Sequence, residues 1–555
     1  MEVPLNNQPF YWLNQESRDF LTKGYLLPGQ TPEERIRFIA NRAEEHLAIP
    51  GYADKFYDYM SRGWFSLSSP VWSNYGLERG MPVSCFGGYV PDSTEGILYT
   101  HAEQGMLSKL GGGTSLYFGD VRHRGAPITN NGTSNGVVPF IRMMDTMTDV
   151  ISQGSTRRGY MAVYLPIDHP DINEFLEIGS DGNEIQGIMT GVNVSDAWLK
   201  SMTAGDSDKR ALWAKVLRKR SEHGYPYIFF TDNVNRTKPE CYHDKPILAS
   251  NLCSEIALPS SETETFTCVL SSINLLHYDE WKDTDAVEVL TMFLDTVVQE
   301  LIDSIDNGKY SKFMDRVRNF AVNHRAIGLG VLGYHSYFQS RMIPLESREA
   351  AKLNYEMFQL IRTKAESASI ELGTRFGTVF GTNRRNTTLM AVAPTKSSSF
   401  ILGQVSQGIE PIMSNYFVNN TAKAVSVYRN PYLEQLLTSK GINTPEVWQS
   451  ILEADGSVQH LTDLTDHERL VFRTFAETNP ETIIDQAAVR QEFIDQAQSI
   501  NLMISPTMPV RDVNALYLRA WSLGVKSLYY QFSLSAAQVK SRELNKSNEC
   551  LACHA

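Results

Sequence analysis

From position 31 the chain reads TPEERIRFIANRAEEHLA, and its apolar residues return every three or four places. Ile36, Ile39, Ala43 and Leu47 fall on one helical face. Thr31 stands as N-cap, Pro32 opens the first turn and Glu34 completes a capping box. Residues 1–80 therefore read as a mainly helical region. From about 81 to 280 the period shortens: apolar runs such as CFGGYV, SLYFG, MAVYLPI, YIFF and CVLSSINLL alternate with glycine-rich turns and helical patterns such as PDINEFLEI. Strands alternating with helices predict an α/β architecture with parallel pairing. Long helices follow in AVEVLTMFLDTVVQELIDSI and SREAAKLNYEMFQLIRTKAESASIEL, and strand signals return in TTLMAVAP and VKSLYYQF. After Phe532 the pattern turns polar, so 81–532 reads as one catalytic-sized core and 533–555 as a mobile tail.

Composition narrows the function classes. The 555 residues are 42% hydrophobic and 21% charged, with net charge −12. That describes a globular protein with no basic track for nucleic acid. The first twenty residues lack a signal-peptide pattern, and no apolar run reaches membrane-spanning length, so the expected location is cytoplasmic. Six cysteines are too few for a disulfide scaffold.

Three stretches could carry chemistry. In SNLCSEIALP an extended backbone would place Asn251, Cys253 and Glu255 on one face, an amide, a thiol and a carboxylate together; the alternative is a core cysteine between turn residues. Cys85 and Cys268 each sit in an apolar strand-like run, where a cysteine is commonly a small core residue, and spacing does not say whether they meet. The loops LGGGTSLYFG, QGSTRRG and PTKSSSF offer backbone amides, hydroxyls and cations of the kind that hold phosphate. Separately, Cys550 and Cys553 lie in CLACH, a c-type haem pattern. Haem attachment belongs to exported proteins and needs a fold around it; only two residues follow Cys553.

Taken together these stretches resemble the large catalytic subunit of ribonucleotide reductase. The likeness also takes in SSPVW, SCFGGYVPDS, TCVLSSINL, RAIGLGVLGYHSYF, GQVSQGIEP, IDQAQSINLMI and LGVKSLYYQ, in family order along nearly the whole chain. The resemblance implies a ten-stranded α/β barrel of two five-stranded parallel halves, with a central finger loop and a helical region before it. It implies that Cys253 becomes a thiyl radical and takes the ribose 3′-hydrogen, that Glu255 receives the 3′-hydroxyl proton with Asn251 orienting it, and that Cys85 and Cys268 protonate and reduce the 2′ position. Cys550 and Cys553 match the tail pair that re-reduces the barrel disulfide and is itself reduced by thioredoxin or glutaredoxin. About twenty residues separate Tyr530 from Cys550, at most ~70 Å extended and ~25 Å as a flexible chain, which is adequate reach.

Tyr529 and Tyr530 match the stacked pair by which class I enzymes receive the radical from a small subunit's metal site. The alternative is a class II enzyme using adenosylcobalamin, with the tyrosines as core aromatics; a c-type haem carrier is a remote third reading. The glycyl-radical class is disfavoured, because its C-terminal glycyl loop and zinc-binding cysteine cluster are not seen and only two cysteines lie near the end. Substrate is expected at Ser69, Ser84, Gly113, Thr395, Ser397 and Ser398, although Lys396 stands where some relatives carry a carboxylate. Asp92, Ser93, Arg122 and Arg157 match positions that bind a deoxynucleotide or ATP effector, with Mg²⁺, at a homodimer interface. Only about 80 residues precede the barrel region, so the resemblance predicts a compact form without an ATP cone and without cone-type dATP shut-off.

Overall fold

The computed structural model describes residues 8–151, 159–310, 312–421 and 424–533. Its N-terminal part is helical for the reasons the pattern gives. Helix Pro32–Leu47 carries the full Thr31/Glu34 capping box, and Ile36, Ile39, Ala43 and Leu47 are all buried. Arg35 on the same helix is buried too. Its guanidinium donates to the carbonyls of Trp72 (2.8 Å), Val71 (3.0 Å) and Tyr75 (2.8 Å). Those acceptors lie at the C-terminal end of helix Ser69–Asn74, where a cation also suits the helix dipole. The helical region is thereby fixed to the segment that carries Ser69.

Strand Phe65–Leu67 (β1) leads from the helices to the barrel. Five strands then run parallel in order: Cys85–Tyr89 (β2), Gly113–Tyr117 (β3), Met161–Pro166 (β4), Ile188–Val194 (β5) and Tyr227–Phe230 (β6). Phe266–Cys268 (β7) runs almost directly into Leu270–Asn274 (β8), which pairs in parallel with Gly328–Leu332 (β9) and antiparallel with β1. A hairpin, Tyr416–Thr421 (β10) and Ala424–Arg429 (β11), opens a small helical unit with its own core of Leu433, Leu437, Trp448, Ile451 and Phe472. Leu502–Ile504 (β12), Ser527–Leu528 (β13) and Gln531–Ser533 (β14) complete the set.

The pairings close on themselves. β7 lies antiparallel to β2, and β13 antiparallel to β6. Between those seams, β9 bridges in parallel to Met390, Val392 bridges in parallel to Gln498, and β12 pairs in parallel with β14. The strand segments 266–274, 328–332, 389–392, 496–504 and 527–533 therefore form a second parallel half facing β2–β6. This is the ten-stranded barrel that the resemblance implies. Strand positions are buried on both faces, which explains their near-continuous apolar runs. Long helices pack outside; Ala286–Asp306 lies against Arg348–Phe376, and both match the sequence pattern.

The glycine-rich run at 111–113 has a packing cause the sequence reading did not supply. A Cβ on Gly112 would lie 2.6 Å from the Phe86 ring, so that glycine serves strand packing. Among the described residues no helix is long and apolar enough to cross a membrane.

Candidate active site

After β6 and the helix Thr231–Arg236 the chain turns into the barrel. Residues 249–258 are buried throughout, although Ser250, Asn251, Ser254 and Glu255 among them are polar. A buried polar loop persists only when its groups are bonded, and here both barrel halves supply the partners. Tyr164 of β4 donates to the Asn251 carbonyl (2.7 Å), Ser499 to the Cys253 carbonyl (2.5 Å) and Ser527 to the Ser254 carbonyl (2.7 Å). Ala497 N–H donates to the Glu255 carbonyl (2.9 Å). Ser254 takes φ +66°, a left-handed conformation uncommon for a side-chain-bearing residue. The tip carrying Cys253 is thus a braced turn.

This corrects one expectation. The segment is not extended at 251–254, so Asn251, Cys253 and Glu255 do not share a face by strand alternation. A tight turn brings them together instead: Asn251 Oδ1 accepts from the Ile256 N–H (3.2 Å), and Ser254 N–H donates to the Asn251 carbonyl (3.3 Å). One hydroxyl then links the thiol's residue to the carboxyl, because Ser499 Oγ also lies 3.2 Å from Glu255 Oε2.

Glu255 is 1% exposed. Burial, and then the nearby Cys85 thiol, push its pKa up to about 8, against weaker opposing hydrogen bonds. The resting carboxyl is therefore mostly protonated at neutral pH. Asn251 lies near enough to favour the carboxylate, yet its Nδ2 has no hydrogen-bond partner among the described residues, and neither has the buried Ser84 Oγ. A buried polar atom left bare costs about 1–3 kcal/mol, so both atoms are available to a hydroxyl-bearing ligand.

The two strand cysteines do meet. Cys85 and Cys268 are direct register partners across the β2–β7 seam. Opposed residues in an antiparallel pair have Cα atoms about 4.5–5.5 Å apart, within the range a disulfide spans. Gly113 is the parallel partner of Cys85 on the other side. Cys85, Cys253 and Cys268 belong to one buried cluster with Tyr164, Tyr227, Phe266 and Tyr529.

The tyrosine pair also packs as a unit, with ring centroids 4.3 Å apart. Tyr529 is buried and Tyr530 partly exposed, in the link between β13, whose Ser527 braces the finger tip, and β14. Sequence reading missed Tyr227, whose ring touches both, and also Asn501, which accepts the Tyr530 N–H (3.0 Å) and donates to the buried Glu410. It likewise missed Tyr164, Ser499 and Ser527. Their signal was weak: single residues in apolar runs, meaningful only once the loop is seen to pass them.

PTKSSSF, expected as a loop, instead opens the helix Lys396–Ile401 with Thr395 as its N-cap, and this helix meets the strand just before Ser69. Ser398 Oγ donates to the Leu67 carbonyl (3.4 Å) and Ser66 Oγ to the Ser398 carbonyl (3.5 Å). Thr395 Oγ1 accepts from Gly408 N–H (2.7 Å), which leaves its own proton to donate. Asp92, Ser93 and Arg122 also gather. Arg122 Nε pairs with Asp92 (2.9 Å), while Ser93 caps helix Thr94–Lys109. Arg157, Cys550 and Cys553 lie outside the described residues. Among the described residues no group of three or more His, Cys, Asp or Glu side chains is arranged to hold a metal.

Comparison with known proteins gives the family. The family model "Ribonucleotide reductase, barrel domain" matches residues 83–209, 200–384 and 381–531, and "Ribonucleotide reductase, all-alpha domain" matches 11–80. The chain is similar to the putative ribonucleoside-diphosphate reductase large subunit of Frog virus 3, 34% identical over 91% of this chain and 93% of that one. It is also 34% identical to the large subunit from Invertebrate iridescent virus 3, over 90% of each. A solved structure, the class Id ribonucleotide reductase alpha subunit of Actinobacillus ureae, superposes with TM-score 0.91 at 54% identity, covering 96% of this chain and all of that one. The chain belongs to the ribonucleotide reductase large-subunit family.

Proposed function

We propose that the chain is the catalytic subunit of a class I ribonucleotide reductase, replacing the 2′-hydroxyl of a ribonucleoside diphosphate by hydrogen. The observation that carries this is the Cys85–Cys268 register pair beside a buried Glu255 and the braced Cys253 tip. Removing an unactivated ribose hydrogen needs a radical, and an S–H bond is of similar strength, so a thiyl at Cys253 takes the 3′-hydrogen reversibly. Glu255, as carboxylate, accepts the 3′-hydroxyl proton, with the bare Asn251 amide donating to the oxygen. The 2′-hydroxyl leaves as water with a proton from the dithiol. Cys85 and Cys268 supply two electrons and become a disulfide, and Cys253 returns the 3′-hydrogen.

A partner small subunit's metal site, when engaged, supplies the oxidising equivalent; Tyr530 and then Tyr529 pass it inward to Cys253. Ser69, Thr395, Ser397 and Ser398 hold the substrate phosphates, and Ser84 and Gly113 line the sugar site. Asp92, Ser93, Arg122 and Arg157 take the effector with Mg²⁺. Helices Thr94–Lys109 and Val138–Ile151, which start beside those residues, expose Leu98, Met143 and Val150; this supports a second copy of the chain covering that face. Cys550 and Cys553, in a tail at 533–555, re-reduce the barrel disulfide by thiol–disulfide exchange and receive electrons from thioredoxin or glutaredoxin.

Class I is favoured over the adenosylcobalamin reading by the contact of the two tyrosine rings and by the 54%-identical relative titled class Id. The deciding assay is CDP reduction by the purified chain with effector and dithiothreitol. Turnover is expected only after a metal-loaded small subunit is added. Turnover with adenosylcobalamin alone would replace this reading with class II. In a second assay, changing Cys550 and Cys553 to serine should abolish turnover driven by thioredoxin and spare turnover driven by a small dithiol. Equal loss with both reductants would remove the tail from the mechanism.

A further inference from the structure

The structure gathers more tyrosine rings around the relay than a two-residue path uses. β6 and β13 are antiparallel with Ile228 opposite Leu528, so the next pair in register is Tyr227 opposite Tyr529. The Tyr227 ring centroid lies 4.9 Å from Tyr529 and 5.2 Å from Tyr530, closing a triangle with the 4.3 Å contact between those two. Contact then continues back along the chain ahead of β6. Tyr225 is 6.5 Å from Tyr227, edge to face, and His223 is 5.9 Å from Tyr225. Tyr227 is fully buried, whereas Tyr225 and His223 are both partly exposed.

A tyrosine can pass on an oxidising equivalent when a neighbouring ring gives up an electron and a proton acceptor lies near. Ring contacts supply the first condition at every step. At the outer end, burial and Lys219 hold the His223 imidazole below its ordinary pKa, so it is neutral at pH 7.

We propose that Tyr227 and Tyr225 form a side branch of the radical relay, through which an oxidising equivalent stranded on the Tyr529–Tyr530 pair leaves for the protein surface. The inference rests on the relay reading above. In each step a tyrosyl radical regains one electron and one proton, becoming phenol, and the next tyrosine outward loses them. At the surface the Tyr225 radical takes a hydrogen atom from a small solvent thiol, leaving a thiyl radical in solution. The branch acts when no substrate is present to accept the radical at Cys253.

The test uses the full chain with its metal-loaded small subunit and effector, without substrate, in the presence of the nitrone trap 5,5-dimethyl-1-pyrroline N-oxide, followed by peptide mapping. The trap is expected on Tyr225 in the wild type and absent from it in Tyr227→Phe. Tyr225→Phe should keep the initial rate of CDP reduction but lose activity several-fold faster during substrate-free incubation. An unlabelled Tyr225 in the wild type, or equal labelling in Tyr227→Phe, overturns the branch. Tyr530→Phe separates the two readings. Full turnover in that variant sinks the relay and the branch with it, whereas an inactive Tyr530→Phe beside an unlabelled wild-type Tyr225 sinks the branch alone.

Discussion

Glu255→Gln should abolish CDP reduction and at the same time make the chain more stable, with a gain that grows with pH. Loss of activity follows from losing the base, for which a factor of about 10²–10⁴ is usual. The stability change follows from linkage. The folded chain holds a proton on Glu255 up to about pH 8, whereas an unperturbed carboxyl releases it near 4.5. Folding therefore takes up a proton between those values, and stability falls as pH rises through that window. At pH 5.5 the cost is roughly 1 kcal/mol and at pH 7 roughly 3 kcal/mol, from 1.36 kcal/mol per pKa unit. It is complete above about pH 8. Glutamine imitates the protonated acid and escapes the cost, so thermal melts of the variant and wild type should coincide near pH 4.5 and diverge toward pH 8. A pH-independent difference would mean that Glu255 is not the raised carboxyl. In the wild type, kcat/KM should rise with pH through an acid limb near 8, because only the carboxylate can accept the proton.

The same residue shows where sequence reading stops. That Glu255 and Cys253 act together was legible from SNLCSEI as a motif, but the local argument offered for it, strand alternation, was wrong. What joins them is a turn at 251–254 held by Tyr164, Ser499 and Ser527, which come from three strands far apart in the chain. No periodicity within ten residues encodes such braces. The helix at 32–47, by contrast, was fully legible, because its cap, its proline and its apolar face are all local. Strands β2, β3, β4 and β6 were legible as apolar runs, whereas β5, whose IMTGVNV is broken by polar and glycine positions, was not picked out, and neither was closure into a barrel. Closure depends on two antiparallel seams, β2 with β7 and β6 with β13, between segments roughly 180 and 300 residues apart. The barrel was expected from the resemblance alone. Cys85 and Cys268 are the sharpest case: each looked like a small core residue, and only the seam register makes them a pair.

That register carries the second large prediction. The chain, fully reduced and then freed of external reductant, is mixed with its small subunit, CDP and effector. Changing Cys550 and Cys553 to serine first removes the tail as an electron store. About one deoxynucleotide per active site should then form, since one dithiol carries two electrons and nothing recharges it. Peptide mapping afterwards should find Cys85 joined to Cys268, a bond that needs no backbone movement because the two residues already face each other across β2 and β7. With the tail cysteines restored the burst should rise, by exchange of the tail dithiol into the barrel. Cys268→Ala should give no deoxynucleotide at all, while Cys241→Ala, outside the seam, should leave the burst unchanged. A burst that survives in Cys268→Ala would show that another group supplies the electrons. The paired thiols would then be packing residues, and the chemistry assigned to the seam would have to be placed elsewhere in the barrel.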